Sequence, residues 1–179
     1  KREAASQATG EFKRRYDSGS SVEETALRAG GRKLKYAPAE KIGVIEVENF
    51  PLLGKLTSLR FIEWCQKNPG GVIALPTGKS PEHFISWVGK ILREWDSQAI
   101  ARLLGEYGVP LKPKPEMKSF SFVQIDEFYP MNAERHNSFH YYVSEFYIKG
   151  FGLDPSKAML IDATALGLLC LALSAAHLA

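Results

Sequence analysis

The chain has 179 residues, of which 45% are hydrophobic and 24% charged, with a formal net charge of +3. That length supports one domain with its own core and excludes wholesale disorder or a collagen-like chain, while +3 lacks the clustered basic footprint of a nucleic-acid binder. Two cysteines, Cys65 and Cys170, exclude a disulfide framework and a Cys-rich zinc site; their apolar settings suit a reducing cytoplasm, with a single bridge left open.

Residues 1–40 are polar, rich in Lys and Arg, and broken by Gly10, Gly19, Gly30 and Gly31. They lack the apolar h-region of a signal peptide and read as an exposed N-terminal arm. Within the arm, Ser21 followed by Glu24 has the spacing of a capping box, which predicts a short helix over 22–29 stopped by two glycines. Residues 42–48, Ile-Gly-Val-Ile-Glu-Val-Glu, alternate as a strand does. Leu56, Leu59, Phe61, Trp64 and Cys65 form a helical seam ending at Asn68-Pro69-Gly70-Gly71. Residues 72–75 are a short apolar run bounded by Gly and Pro, as in a buried strand. Phe84, Ile85, Val88, Ile91, Leu92 and Trp95 recur at helical spacing and predict a helix from Pro81 to about residue 95. Ile100, Leu103, Leu104 and Tyr107 add further helical turns before a loop containing Pro110, Pro113 and Pro115. Strands over 119–125 and 158–161 bracket an aromatic-rich helix over 138–148. Strands separated by helix-length segments define the α/β class, here with an open, mostly parallel sheet. The run 163–179 carries no formal charge and is mostly Ala and Leu. It is shorter than the about 20 apolar residues of a membrane span and reads as a helix, native or foreign to the fold, rather than as a span.

Three segments carry residues suited to chemistry. Leu75-Pro76-Thr77-Gly78-Lys79-Ser80-Pro81 joins a buried strand to an amphipathic helix. Gly78 lets the backbone approach a ligand, Ser80 and Pro81 suit the cap and first position of the helix, and the helix N-terminus favours an anion, phosphate above all. A nucleotide P-loop is excluded, because that motif needs glycine where Ile73 stands; a capped turn without ligand is the alternative. Gln124-Ile125-Asp126-Glu127-Phe128-Tyr129 sets two carboxylates at a strand's end, where either could face a crevice as a general base or simply cap the loop. His136 and His140 stand four residues apart, as zinc ligands on one helix face do. No third ligand is evident, so no metal is expected, and Asn137 or Ser138 reads as a helix cap.

Together these segments resemble the glucosamine-6-phosphate deaminase/isomerase family, which shares its fold with 6-phosphogluconolactonases. The resemblance spans about residues 42–161. It rests on Leu75-Pro-Thr-Gly-Lys-Ser-Pro81 against the family's phosphate loop, on Ile125-Asp-Glu-Phe-Tyr129 against its strand-end acidic segment, and on His136-Asn-Ser-Phe-His-Tyr-Tyr142. It implies a Rossmann-like sheet with helices on both faces and a phosphosugar isomerase-like domain over 41–162. It implies an activity that turns glucosamine 6-phosphate into fructose 6-phosphate and ammonia without metal or redox cofactor. Asp126 and Glu127 would be catalytic, Asp126 as the base that moves a proton between C2 and C1. Thr77, Gly78, Lys79 and Ser80 would bind the phosphate. A phosphorylated sugar is the expected partner, with no nucleic acid and no membrane, and a homo-oligomer is left open. Phe128 favours the deaminase branch over the lactonases, which tend to carry arginine there; a lactonase and a non-catalytic sugar-phosphate sensor are the alternatives. The family's later D-G-H segment has no counterpart after Asp162. The reading therefore expects an incomplete domain, a tail over 163–179 of uncertain status, and no deaminase activity from this polypeptide alone.

Overall fold

The computed structural model describes residues 19–29 and 45–164. Three parallel strands, β1 (Val72–Ile73), β2 (Ser121–Val123) and β3 (Ala158–Met159), lie in the order β1-β2-β3. Ile73 pairs with Phe122, and Phe122 with Ala158, so these three side chains share one face. That face meets α2 (Phe50–Lys67), α3 (Glu82–Arg93) and the aromatic helix α5 (Phe139–Tyr142) in a core containing Cys65, Phe84, Val88, Phe120, Val143, Tyr147 and Phe151. The neighbouring positions Val72 and Met159 point the other way and are 62% and 71% exposed. The expected open parallel α/β sheet is therefore present, but among the described residues the helices lie on one face of it and not on both as expected.

A second core joins α2 and α3 to α1 (Ser21–Ala29) and α4 (Gln98–Glu106) through Leu59, Ile62, Ile91, Trp95, Ile100 and Leu104. Two of these helices start at a side-chain cap. Asn49 and Ser97 cap α2 and α4 by accepting from Leu52 and Ile100, and Pro51 occupies the first turn of α2. The strands are shorter than the apolar runs suggested: ladder pairing is confined to Val72–Ile73, Ser121–Val123 and Ala158–Met159.

Several expectations need correction. The strand over 42–48 lies partly outside the described residues, and residues 45–47 are not one of the three strands of the sheet. The first helix is capped one residue earlier than the capping box suggested: Ser20 Oγ accepts from Glu23 N at 3.2 Å. Ser21 is occupied elsewhere, donating to Glu63 and to the carbonyl of Gly108. Residues 19–29 are thus docked rather than an exposed arm, with Val22 only 2% exposed. The remainder of the arm and residues 165–179 of the apolar tail lie outside the described residues. Among the described residues no helix is long and apolar enough to cross a membrane.

The docking of α1 depends on a buried carboxylate. Glu63 accepts from Ser20 Oγ at 2.5 Å, Ser21 N at 2.9 Å, Ser21 Oγ at 3.0 Å and Lys67 Nζ at 3.1 Å. Burial pushes its carboxyl up, but the bonds from Ser20, Ser21 and Lys67 outweigh it and hold the value below the ordinary one. A folded-state value below the unfolded one gives stability that is full above the ordinary glutamate range, about 4.3, and is lost as pH falls through the lowered folded value. Glu63→Ala should cost about 1.5–3 kcal/mol, the scale of hydrogen bonds to a buried charge. Denaturant unfolding at neutral pH and near pH 3 checks this: the difference between wild type and variant should shrink in acid.

Candidate functional site

β1 and β2 are adjacent and parallel, so the segments that follow them emerge at the same edge of the sheet. This is where open α/β sheets bind ligands. Thr77 and Asp126 each lie four residues beyond the paired Ile73 and Phe122. The loop after β1 turns at Gly78, whose φ of +104° lies in the region that favours glycine, and a Cβ there would meet open space. Among the described residues, the N–H groups of Thr77, Gly78, Lys79 and Ser80 donate to no protein acceptor. Lys79 and Ser80 are exposed.

The helix start differs from the expected one. Pro81 is the N-cap of α3 and no side chain caps it, so Ser80 does not close the helix. Its hydroxyl stays available beside the free N–H groups, and the positive end of the α3 dipole lies directly behind them.

The acidic pair divides sharply. Asp126 is exposed, and its carboxylate bonds no protein group among the described residues. Its backbone is fixed instead: the carbonyl accepts from Gln124 Nε2 at 2.8 Å, while Gln124 Oε1 accepts from Ile161 N at 3.0 Å. Gln124 is buried and thereby stitches the ends of β2 and β3 together under Asp126. Glu127 is fully engaged. Its Oε1 accepts from Phe128 N and Phe139 N, both at 3.0 Å, and its Oε2 from Ser138 Oγ at 2.8 Å and His140 N at 2.7 Å. Burial raises its carboxyl, but the bonds from His140, Phe139, Ser138 and Phe128 prevail and hold it below the ordinary range. A carboxylate saturated by four donors is a poor proton acceptor, so Glu127 anchors the start of α5 rather than standing ready as a base. Ser138, as anticipated, is the cap of that helix and accepts from Tyr141 N at 3.2 Å.

The histidines separate. His136 packs edge-on to Tyr141 with ring centres 4.6 Å apart, while His140 Nδ1 lies 3.1 Å from the carbonyl oxygen of Ile161. Among the described residues, no three His, Cys, Asp or Glu side chains are grouped to hold a metal. Cys65 is buried, and burial pushes its thiol up to about 12, which removes it as a nucleophile at neutral pH.

Two residues to which the sequence assigned no role complete the edge, Tyr142 from the last segment that carries the family resemblance and Tyr147 just beyond that segment. Tyr142 OH donates to the carbonyl of Gly78 at 2.8 Å, and Tyr147 OH to that of Pro76 at 2.5 Å. Helix α5 and the π-helical turns that continue it over Val143–Lys149 therefore tie the two motifs together, with the start of α5 on Glu127 and Tyr142 and Tyr147 on the glycine loop. The sequence signals were the density of aromatic residues over 139–151 and, for Tyr142, its place in the resemblance segment.

Fold and site define an open, Rossmann-like α/β domain with an anion-suited loop and an unpaired carboxylate at the ends of neighbouring parallel strands. A solved structure of a monomeric glucosamine-6-phosphate deaminase, described as a missing link of the NagB superfamily, is similar to this chain with a TM-score of 0.51 and 16% identity. The match covers 66% of this chain and 42% of that one, so it spans well under half of the neighbour's length, and at this identity it speaks to the fold. No protein-family model and no curated protein matches the sequence.

Proposed function

We propose that this chain is a phosphosugar-binding domain of the glucosamine-6-phosphate deaminase/isomerase type. The observation that carries the reading is the joint placement of the 77–80 loop and Asp126 at one edge of the sheet, the loop's N–H groups and the Asp126 carboxylate left without a protein partner among the described residues. The loop supplies backbone N–H groups, two hydroxyls and the Lys79 ammonium to a phosphate dianion. Asp126 supplies an exposed carboxylate held by its backbone, suited to take a proton from the carbon next to an aldehyde or imine and return it one carbon away. That transfer turns an aldose amine into a ketose imine, which water then hydrolyses to ketose and ammonia. Glu127 serves by position, through α5. The deaminase fold of the solved neighbour supports the same substrate class.

The first test is binding. Calorimetric titration of glucosamine 6-phosphate should give measurable affinity, and unphosphorylated glucosamine should bind more weakly by about 10-fold or more, the scale of one or two charge-assisted hydrogen bonds. Equal affinity for the two sugars would remove the phosphate assignment.

A further inference from the structure

The glycine loop does not by itself choose which way its peptide groups face. A planar trans peptide points its carbonyl and the following N–H in opposite directions. The carbonyl of Gly78 therefore fixes Lys79 N–H, and the carbonyl of Pro76 fixes Thr77 N–H. Glycine's freedom makes a flip of the Gly78–Lys79 peptide inexpensive, and the flipped form would aim a carbonyl at an incoming anion. Tyr142 and Tyr147 hold those two carbonyls.

Both hydroxyls reach the loop because the helix changes pitch between them. In an α-helix, residues five apart lie about 140° from one another around the axis. Here Val143–Lys149 forms π-helical turns, whose bonds run between residues five apart. Tyr142 and Tyr147 accordingly come round to the same side, and their rings pack with centres 5.8 Å apart. Burial, the first cause in each case, pushes both phenols up, so both remain protonated donors at neutral pH.

We propose that Tyr142 and Tyr147 are positioning residues that lock the peptides of the glycine loop with their N–H groups turned outward for a phosphate dianion. The inference rests on the phosphosugar reading above. It extends that reading by assigning the loop's selectivity to hydroxyls on a helix that Glu127 also anchors, which couples the phosphate position to Asp126.

The test compares wild type, Tyr142→Phe and Tyr147→Phe in the full chain, with inorganic phosphate, glucosamine 6-phosphate and glucosamine as probes. Calorimetry reads affinity, and amide chemical shifts of Thr77 and Lys79 read the loop. Each variant should bind phosphate and glucosamine 6-phosphate about 3- to 10-fold more weakly, the range of one lost hydrogen bond. Affinity for glucosamine should be unchanged, and the phosphate-induced shift should be reduced at Lys79 in Tyr142→Phe and at Thr77 in Tyr147→Phe. A purely structural role would weaken all three probes alike and leave those shifts as in wild type, which overturns the proposal. Tyr142 is half-buried, so its phenylalanine variant keeps the ring packing and serves if Tyr147→Phe fails to fold. Wild-type protein that ignores phosphate overturns the functional reading together with the proposal. Wild-type protein that binds phosphate beside variants that bind it equally well overturns the proposal alone.

Discussion

Asp126→Asn is expected to abolish proton transfer while sparing substrate binding. The substitution keeps the size of the side chain and leaves the backbone carbonyl that Gln124 holds, so the edge of the sheet should not move. It removes the basic oxygen, and general base catalysis by a positioned side chain is worth about 10²–10⁴-fold. Exchange of the substrate's C2 hydrogen with solvent deuterium is the direct readout. In a protein that carries this domain and turns over glucosamine 6-phosphate, exchange should fall by about 10²-fold or more, with affinity for the substrate within a factor of a few of wild type. Glu127→Gln offers the contrast. It weakens the anchoring of α5 at four donors, so its main effect should be on phosphate affinity and stability. If Asp126→Asn exchanges at the wild-type rate, Asp126 is not the base.

The two carboxylates show how much of this site could be read from the chain. Sequence placed both at the end of a strand, because an apolar run followed by Asp-Glu and a proline loop is a local pattern. It could not rank them. Glu127 is engaged by residues 11 to 13 positions further on, while Asp126 touches none of them, and nothing in the dipeptide tells which side chain turns inward. The same limit applies to Tyr142 and Tyr147, whose acceptors lie 64 and 71 residues away. Their common side depends on π-helical turns that hydrophobic spacing does not encode. The glycine loop was legible because strand, glycine, proline and amphipathic helix follow one another directly. Even there the cap was misassigned, since Ser80 next to a proline reads as a cap but makes no such bond. The α1 cap slipped by one residue for a related reason: Ser20 and Ser21 are equivalent in sequence, and the buried Glu63, 42 and 43 residues away, decides their roles.

Gly54 carries the strongest packing constraint behind the site, and Gly54→Ala is expected to damage both stability and phosphate binding. It lies inside α2, where glycine costs about 1 kcal/mol relative to alanine, so propensity alone would make the substitution stabilising. Packing reverses the sign. A Cβ at residue 54 would lie 2.4 Å from His83 Cβ, 2.7 Å from the His83 carbonyl carbon and 2.8 Å from Phe84 N. Two of these neighbours are backbone atoms in the first turn of α3, immediately after the 77–81 loop, and they yield only if the helix moves. Overpacking of this kind costs about 1–3 kcal/mol. Set against the about 1 kcal/mol gained in helix propensity, this leaves a net loss of up to about 2 kcal/mol, which would lower the melting temperature by up to about 4–8 °C in a chain of this length. The displacement pushes the start of α3 and the glycine loop together, so phosphate affinity should fall along with the melting temperature. Gly105 supplies the control, since it also lies within a helix but a Cβ there meets nothing within 4 Å. Gly105→Ala should therefore raise stability by about 0.4–1 kcal/mol and leave ligand binding unchanged. If both alanine variants proved more stable than wild type, the close approach of α2 to the start of α3 would not be what holds the loop in place.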